Sequence, residues 1–204
     1  AWAYRLKENQ QYVANCHKVP QQQFEKEFLS IDLIEKSIQK TIELIQSVNP
    51  EIQIIFTISP VRHLKDGFVE NQRSKAHLIS AVGSELSALG SEQSAKTQNP
   101  KPNTQNPATY FPSYEILLDE LRDYRFYDRD LVHPNSLAVD YIWEQFKKSH
   151  IQTSAHATLT EVEQIQKMLA HKPFDAQSEG YQKHLKKTGE LIEKINHKLN
   201  KVLF

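Results

Sequence analysis

The sequence is poor in residues that cross-link a chain or carry it through a membrane. Cys16 is its one cysteine, which excludes an internal disulfide and a cysteine cage for zinc. A single thiol fits a reducing compartment and tilts the location only slightly toward the cytoplasm. No run approaches the roughly 18 apolar residues of a membrane-spanning helix, so a soluble chain is expected. Neither charge is in excess: 25 Lys+Arg against 25 Asp+Glu leave a formal net charge of zero over 204 residues. The basic field that a nucleic-acid protein draws on is therefore missing. Met168 is the only methionine, and Ala1 opens directly on Trp-Ala-Tyr, without the charged and apolar regions of a signal peptide. The sequence reads as an internal fragment of a longer protein, and any signal peptide would stand upstream of it. Apolar residues make up only 39%, so a core requires them to be concentrated in some segments.

They are concentrated. Trp2, Tyr4 and Leu6 alternate, a polar turn follows at 7–11, and Tyr12-Val13-Ala14 returns, which predicts a hairpin over residues 1–18. Phe24, Phe28, Ile31, Ile34, Ile38, Ile42 and Ile45 recur at helical spacing, so one long helix is expected up to the stop at Asn49-Pro50. Ile52–Ile58 is nearly all β-branched or aromatic and reads as a strand buried on both faces. A helix over about 71–89 follows, with Leu78, Ile79, Val82, Leu86 and Leu89 inward. Residues 91–109 hold no apolar side chain larger than alanine and repeat Thr-Gln-Asn-Pro, which predicts a flexible polar insertion. Tyr110–Leu118 reads as a strand with Pro112 near its start or at an edge. Residues 119–127 suggest one or two helical turns, and a further helix follows Asn135. Strands alternating with helices in this way predict an α/β fold built on a parallel sheet.

The last fifty residues differ in character. A short helix over 158–169 and a longer one over 177–203 are expected, the latter with a narrow stripe of Leu185, Ile192, Ile195, Leu199 and Val202. The stripe has two readings: it docks on the protein's own surface, or it mates with a second copy or a partner. The domain division that follows is 1–154 for the α/β part and 155–204 for a helical extension.

Open α/β sheets place their sites at the carboxyl ends of strands. Two peptides fall there, Ser59-Pro60-Val61-Arg62-His63 and Tyr127–Pro134. In the second, Asp130 and His133 are three apart just ahead of a helix, close enough for the carboxylate to fix the imidazole's tautomer and stabilise an imidazolium. Such a pair also arises by chance as a capping or surface contact. Ser59 beside Pro60 is read as turn chemistry. Cys16 and His17 are adjacent in sequence, so their side chains diverge if the chain is extended there. The remaining histidines are scattered, with no zinc-site spacing and hence no metal or cofactor expected.

The order of these segments resembles the SGNH hydrolase superfamily, whose final Asp-x-x-His supplies the acid and base of a Ser-His-Asp triad. More narrowly, the chain resembles the bacterial GSCFA-domain family, through Asn15–Pro20, Phe56–His63, Ser74-Lys75-Ala76, Tyr110–Tyr114 and Asp119–Pro134. The likeness covers most of residues 1–175 apart from the polar insertion. It implies a three-layer α/β/α, flavodoxin-like parallel sheet, with ester hydrolysis or acyl transfer on a small-molecule or glycan ester, and no metal. His133 would be the general base and Asp130 its orienting acid. Asn15 would stand in as an oxyanion donor, or be an Asn in a turn bonded to its own backbone. Arg62 and His63 would face the pocket mouth if the strand ends there, and either bind substrate or form a structural ion pair with the acidic 119–130 stretch. The Gly-Ser-Cys-Phe-Ala peptide, which would carry the nucleophile, is absent from these residues, so the fragment alone is expected to be inactive. The rival reading is a non-catalytic binding or scaffold protein that keeps the fold and recruits a partner through its C-terminal helices.

Overall fold

The computed structural model describes residues 1–14, 16, 18–89 and 107–203. They divide between Ser149 and His150 into two compact units.

The first unit opens with the expected hairpin, β1 (Trp2–Leu6) against β2 (Tyr12–Val13). The helix expected from Phe24 begins only at Ile31. Phe24–Phe28 is instead a strand, β3, antiparallel to the other side of β1. A four-residue spacing of aromatics fits two strand alternations as well as one helical turn, and here the neighbouring strand decides. Directly opposite residues share a face: Trp2 meets Phe28 with ring centroids 4.8 Å apart, and Lys26 lies over the Trp2 ring at 4.4 Å. On the other face Arg5 bonds Glu25 at 2.9 Å. Ser30 then caps α1 (Ile31–Val48), its hydroxyl accepting from the Leu33 N–H.

Beyond Asn49-Pro50 runs β4 (Ile54–Thr57), shorter than expected. Burial on both faces does not hold for it, since Ile55 is 40% exposed. After β4, α2 (Phe68–Ala88) crosses to β5 (Ala108–Phe111), which pairs with β4 in parallel from Ile54↔Ala108 to Thr57↔Phe111. Residues 90–106, with the first Thr-Gln-Asn-Pro copy and all of the second but Pro107, lie outside the described residues. The last part of the expected insertion is not flexible linker, because Ala108 and Thr109 belong to β5 and Ala108 is fully buried.

The strand expected to continue through Leu118 ends at Phe111. Pro112 cannot donate to a ladder, and the chain turns into α3 (Ser113–Glu115) and a π-helical turn over Ile116–Glu120. The apolar run Ile116-Leu117-Leu118 has no period that separates strand from helix. Leu117 is fully buried within this turn. The chain then reaches α4 (Ser136–His150).

Alternation along β5 sorts the core into two halves. Ala108 and Tyr110 face α1 and α2, packing with Ile42, Val82 and Leu86. Phe111 points the other way, against Leu117, Leu121 and Ala138, and meets Phe146 of α4 edge-on at 5.0 Å. Helices thus cover both faces of the parallel pair, and the protein is of the α/β class. Its parallel sheet has two strands among the described residues, and β1, β2 and β3 form a separate antiparallel sheet.

In the second unit, α5 (Thr153–Leu169) starts five residues earlier than expected and α6 (Glu179–Leu199) is shorter at both ends. Ser178 caps α6, and Asn200 ends it in the left-handed conformation at φ 50°. The two helices pack together, with Ile165 and Ile195 each 1% exposed. Within the apolar stripe only Ile195 is fully covered, whereas Leu185 remains 44% exposed. No described helix is long and apolar enough to cross a membrane.

Candidate active site

The peptide between a short helical turn at Tyr124–Phe126 and α4 folds on itself. An antiparallel bridge joins Tyr127 to Pro134, the Asp128 N–H donates to the His133 carbonyl at 2.7 Å, and the Leu131 N–H donates to the Asp128 carbonyl at 2.9 Å. Asn135 seals the base. Its side-chain amide donates to the Arg125 carbonyl at 2.7 Å and its Oδ1 accepts from the Ala138 N–H at 3.1 Å, capping the start of α4.

Asp130 uses both oxygens inside this turn. Oδ1 accepts from the N–H groups of Val132 (2.9 Å) and His133 (3.0 Å), and Oδ2 lies 2.6 Å from His133 Nδ1. The His133 backbone N–H, its ring and the Val132 N–H together pull the Asp130 carboxyl down to about 2. A carboxylate that stays ionised holds the proton on Nδ1 and leaves Nε2 as the basic nitrogen. Both side chains are about half exposed, 60% for His133 and 49% for Asp130, so the ring is open to solvent.

The turn meets the carboxyl end of β4 through Arg62. The Arg62 guanidinium donates to the Leu131 carbonyl and lies over the Tyr127 ring at 5.4 Å. His63 contributes its backbone N–H, which donates to Asn71 Oδ1 at 2.9 Å. Of the residues expected at a site, the structure brings together Asp130, His133 and Arg62. Asn15 lies outside the described residues. Ser59 takes part in a turn, its hydroxyl accepting from the Val61 N–H at 3.3 Å.

Beneath this surface is a polar cluster whose members, except Asn71, lie in the segments that carry the family resemblance but were given no role by the sequence. Ser113 Oγ donates to the Ile58 carbonyl at 2.9 Å and sits 2.6 Å from Thr57 Oγ1. Lys75 Nζ donates to the Ser59 carbonyl at 2.6 Å, and with Lys75 only 3% exposed, burial pushes its amine below the usual lysine range. Asn71, 5% exposed, completes the set. A signal was present: Asn71 and Lys75 extend the inward stripe of Leu78, Val82 and Leu86 toward the start of α2, with polar types where apolar ones continue it. Among the described residues, no three His, Cys, Asp or Glu side chains gather as a metal site.

These features define an α/β protein with a carboxylate-oriented histidine at the sheet's carboxyl edge. The model of the GSCFA family matches residues 1–146, and that of the GSCFA domain protein, C-terminal domain, matches residues 162–204. The chain belongs to the GSCFA family. No curated protein and no solved structure matches it.

Proposed function

We propose that this chain supplies the acid–base half of a serine ester hydrolase or acyltransferase, with His133 as the base and Asp130 as its orienting acid. The observation that carries the reading is the 2.6 Å contact between His133 Nδ1 and Asp130 Oδ2, on a ring exposed enough to meet a substrate. The nucleophile in this reading is the serine of the Gly-Ser-Cys-Phe-Ala peptide, which these 204 residues do not contain.

In the acylation step, Nε2 takes the serine proton as the hydroxyl oxygen attacks the ester carbonyl. The same proton passes to the departing alcohol as the carbon–oxygen bond breaks. Water, or a second alcohol in a transferase, then repeats the sequence on the acyl-enzyme. Asp130 remains ionised throughout and stabilises the imidazolium. Resemblance to the SGNH carbohydrate esterases supports an acylated sugar as the substrate class, an argument from fold analogy.

The test is fluorophosphonate labelling, read by intact mass, of a chain that includes the Gly-Ser-Cys-Phe-Ala peptide. One adduct is expected on the parent. His133→Ala should lower the labelling rate and the turnover of an aryl acetate by on the order of 10³-fold or more. Unchanged turnover in the folded variant would remove His133 from the role of base. A folded parent that neither labels nor turns over the ester would favour a binding or scaffold protein.

A further inference from the structure

Arg62 is oriented toward the chain itself. Its guanidinium meets the Leu131 carbonyl and stacks on Tyr127, one residue at the apex of the Asp130–His133 turn and one at its base. Leu131 has φ 58°, in the left-handed region that a non-glycine residue seldom occupies. Such a conformation persists where the surroundings over-determine it. The turn's other bonds close it on itself or fix its base: Asp128 to His133, Leu131 to Asp128, Asp130 to Val132 and His133, Asn135 to Arg125. Among the described residues, Arg62 is the contact that reaches the apex from the loop following β4.

That loop is itself held from below. Ser113, Lys75 and Asn71, each at most 9% exposed, bond the Ile58 carbonyl, the Ser59 carbonyl and the His63 N–H in turn. The backbone on either side of Arg62 is therefore fixed to α2 and α3. A planar guanidinium suits the task because it donates in its plane while an aromatic ring restrains its face.

We infer that Arg62 is a positioning residue, whose hydrogen bond to the Leu131 carbonyl fixes the Asp130–His133 turn against the end of β4 and so sets the direction of the His133 ring. Its relevance to catalysis rests on the reading of His133 as a base; the positioning itself is measurable without any activity. Of the two roles expected for Arg62 this takes the structural one, with a hydrogen bond to a backbone carbonyl in place of an ion pair.

The experiment is amide hydrogen exchange by NMR at Val132 and His133, whose N–H groups both donate to Asp130. Arg62→Ala should accelerate exchange at both by about tenfold, the effect of losing one hydrogen bond to a charged donor, while Ile55 and Phe56 in β4 exchange as in the parent. Arg62→Lys, which keeps a donor and the charge, should restore most of the protection and covers the case in which the alanine variant folds poorly. Arg129→Ala removes a charge from the same turn and should leave both amides unchanged. Exchange in Arg62→Ala equal to the parent's, or an equal effect from Arg129→Ala, would overturn the proposal. In an active chain, Arg62→Ala should lower kcat with little change in KM. A raised KM with unchanged kcat and unchanged exchange would instead mark a substrate-binding arginine and overturn it. An active His133→Ala would end the catalytic reading while leaving the exchange result to decide on Arg62.

Discussion

Two loops at the carboxyl side of the parallel strands are built by opposite means. The Ile58–His63 loop has almost no internal bonding of its own, and three buried polar side chains from other elements hold its backbone. The Asp128–Asn135 turn is held mainly by its own residues, and its ionisable groups remain exposed. The first arrangement produces rigidity at the cost of burying polar atoms, one of them a cation. The second keeps a carboxylate and an imidazole in contact while both stay open to solvent. The difference separates a support from an exposed carboxylate–imidazole pair, and Arg62 joins them.

If the support depends on buried braces, its loss should be the more damaging to stability. Lys75→Ala should cost about 2–4 kcal/mol in chemical denaturation, from the cavity and the unpaired Ser59 carbonyl. Lys75→Met should recover the cavity part of that loss, since it refills the volume, and keep the part due to the unpaired Ser59 carbonyl. Because the Lys75 amine titrates below its unfolded value, the folded state binds fewer protons there. The parent should therefore gain stability relative to Lys75→Met as pH rises through the depressed value toward the ordinary lysine value of about 10.4. A parent that gains nothing at alkaline pH would argue against a buried charged amine.

A smaller effect is expected in the self-bonded turn. Asn135→Ala removes a helix cap and two bonds at the turn's base, and should cost about 1–2 kcal/mol by the same measurement. The smallest is the acid response of Asp130. Its carboxyl is held near 2, so its contribution is present above the ordinary carboxylate value of about 3.9 and is lost as pH falls from there toward 2. The thermal midpoints of the parent and Asp130→Asn should converge across that interval. A gap that stays constant down to pH 2 would show that the bonds to Val132 and His133 do not stabilise the fold.

How legible each loop was follows from the span of its bonds. The Asp130–His133 pair is local, three residues apart, and could be read from the sequence directly. So could the stop at Asn49-Pro50 and the body of α2, where proline chemistry and helical period act within a few residues. The braces join Lys75 to Ser59 and Ser113 to Ile58, and Arg62 reaches Leu131, so their geometry exists only after the chain has folded. β3 was ambiguous for a different reason: Phe24 and Phe28 satisfy both periods, and the ladder with β1 settles the matter. Pro112 has no N–H to give a ladder, which fits the start or edge of a strand and equally its end, and only the helical path of Ser113–Glu120 decides between them.

The parallel pairing of Ile54 with Ala108 also has a kinetic consequence. The antiparallel sheet β2-β1-β3 joins segments within the first 28 residues, whereas β4 and β5 meet only after a longer loop has closed, an entropic cost incurred before any contact there offsets it. Folding should therefore proceed from the antiparallel sheet and the helices toward the β4–β5 pair. Both halves of the core share β5, so they should consolidate in a single late step. The braces under Ile58 and Ser59 form with that step, and the surface that carries Asp130 and His133 acquires its support only at the end of folding.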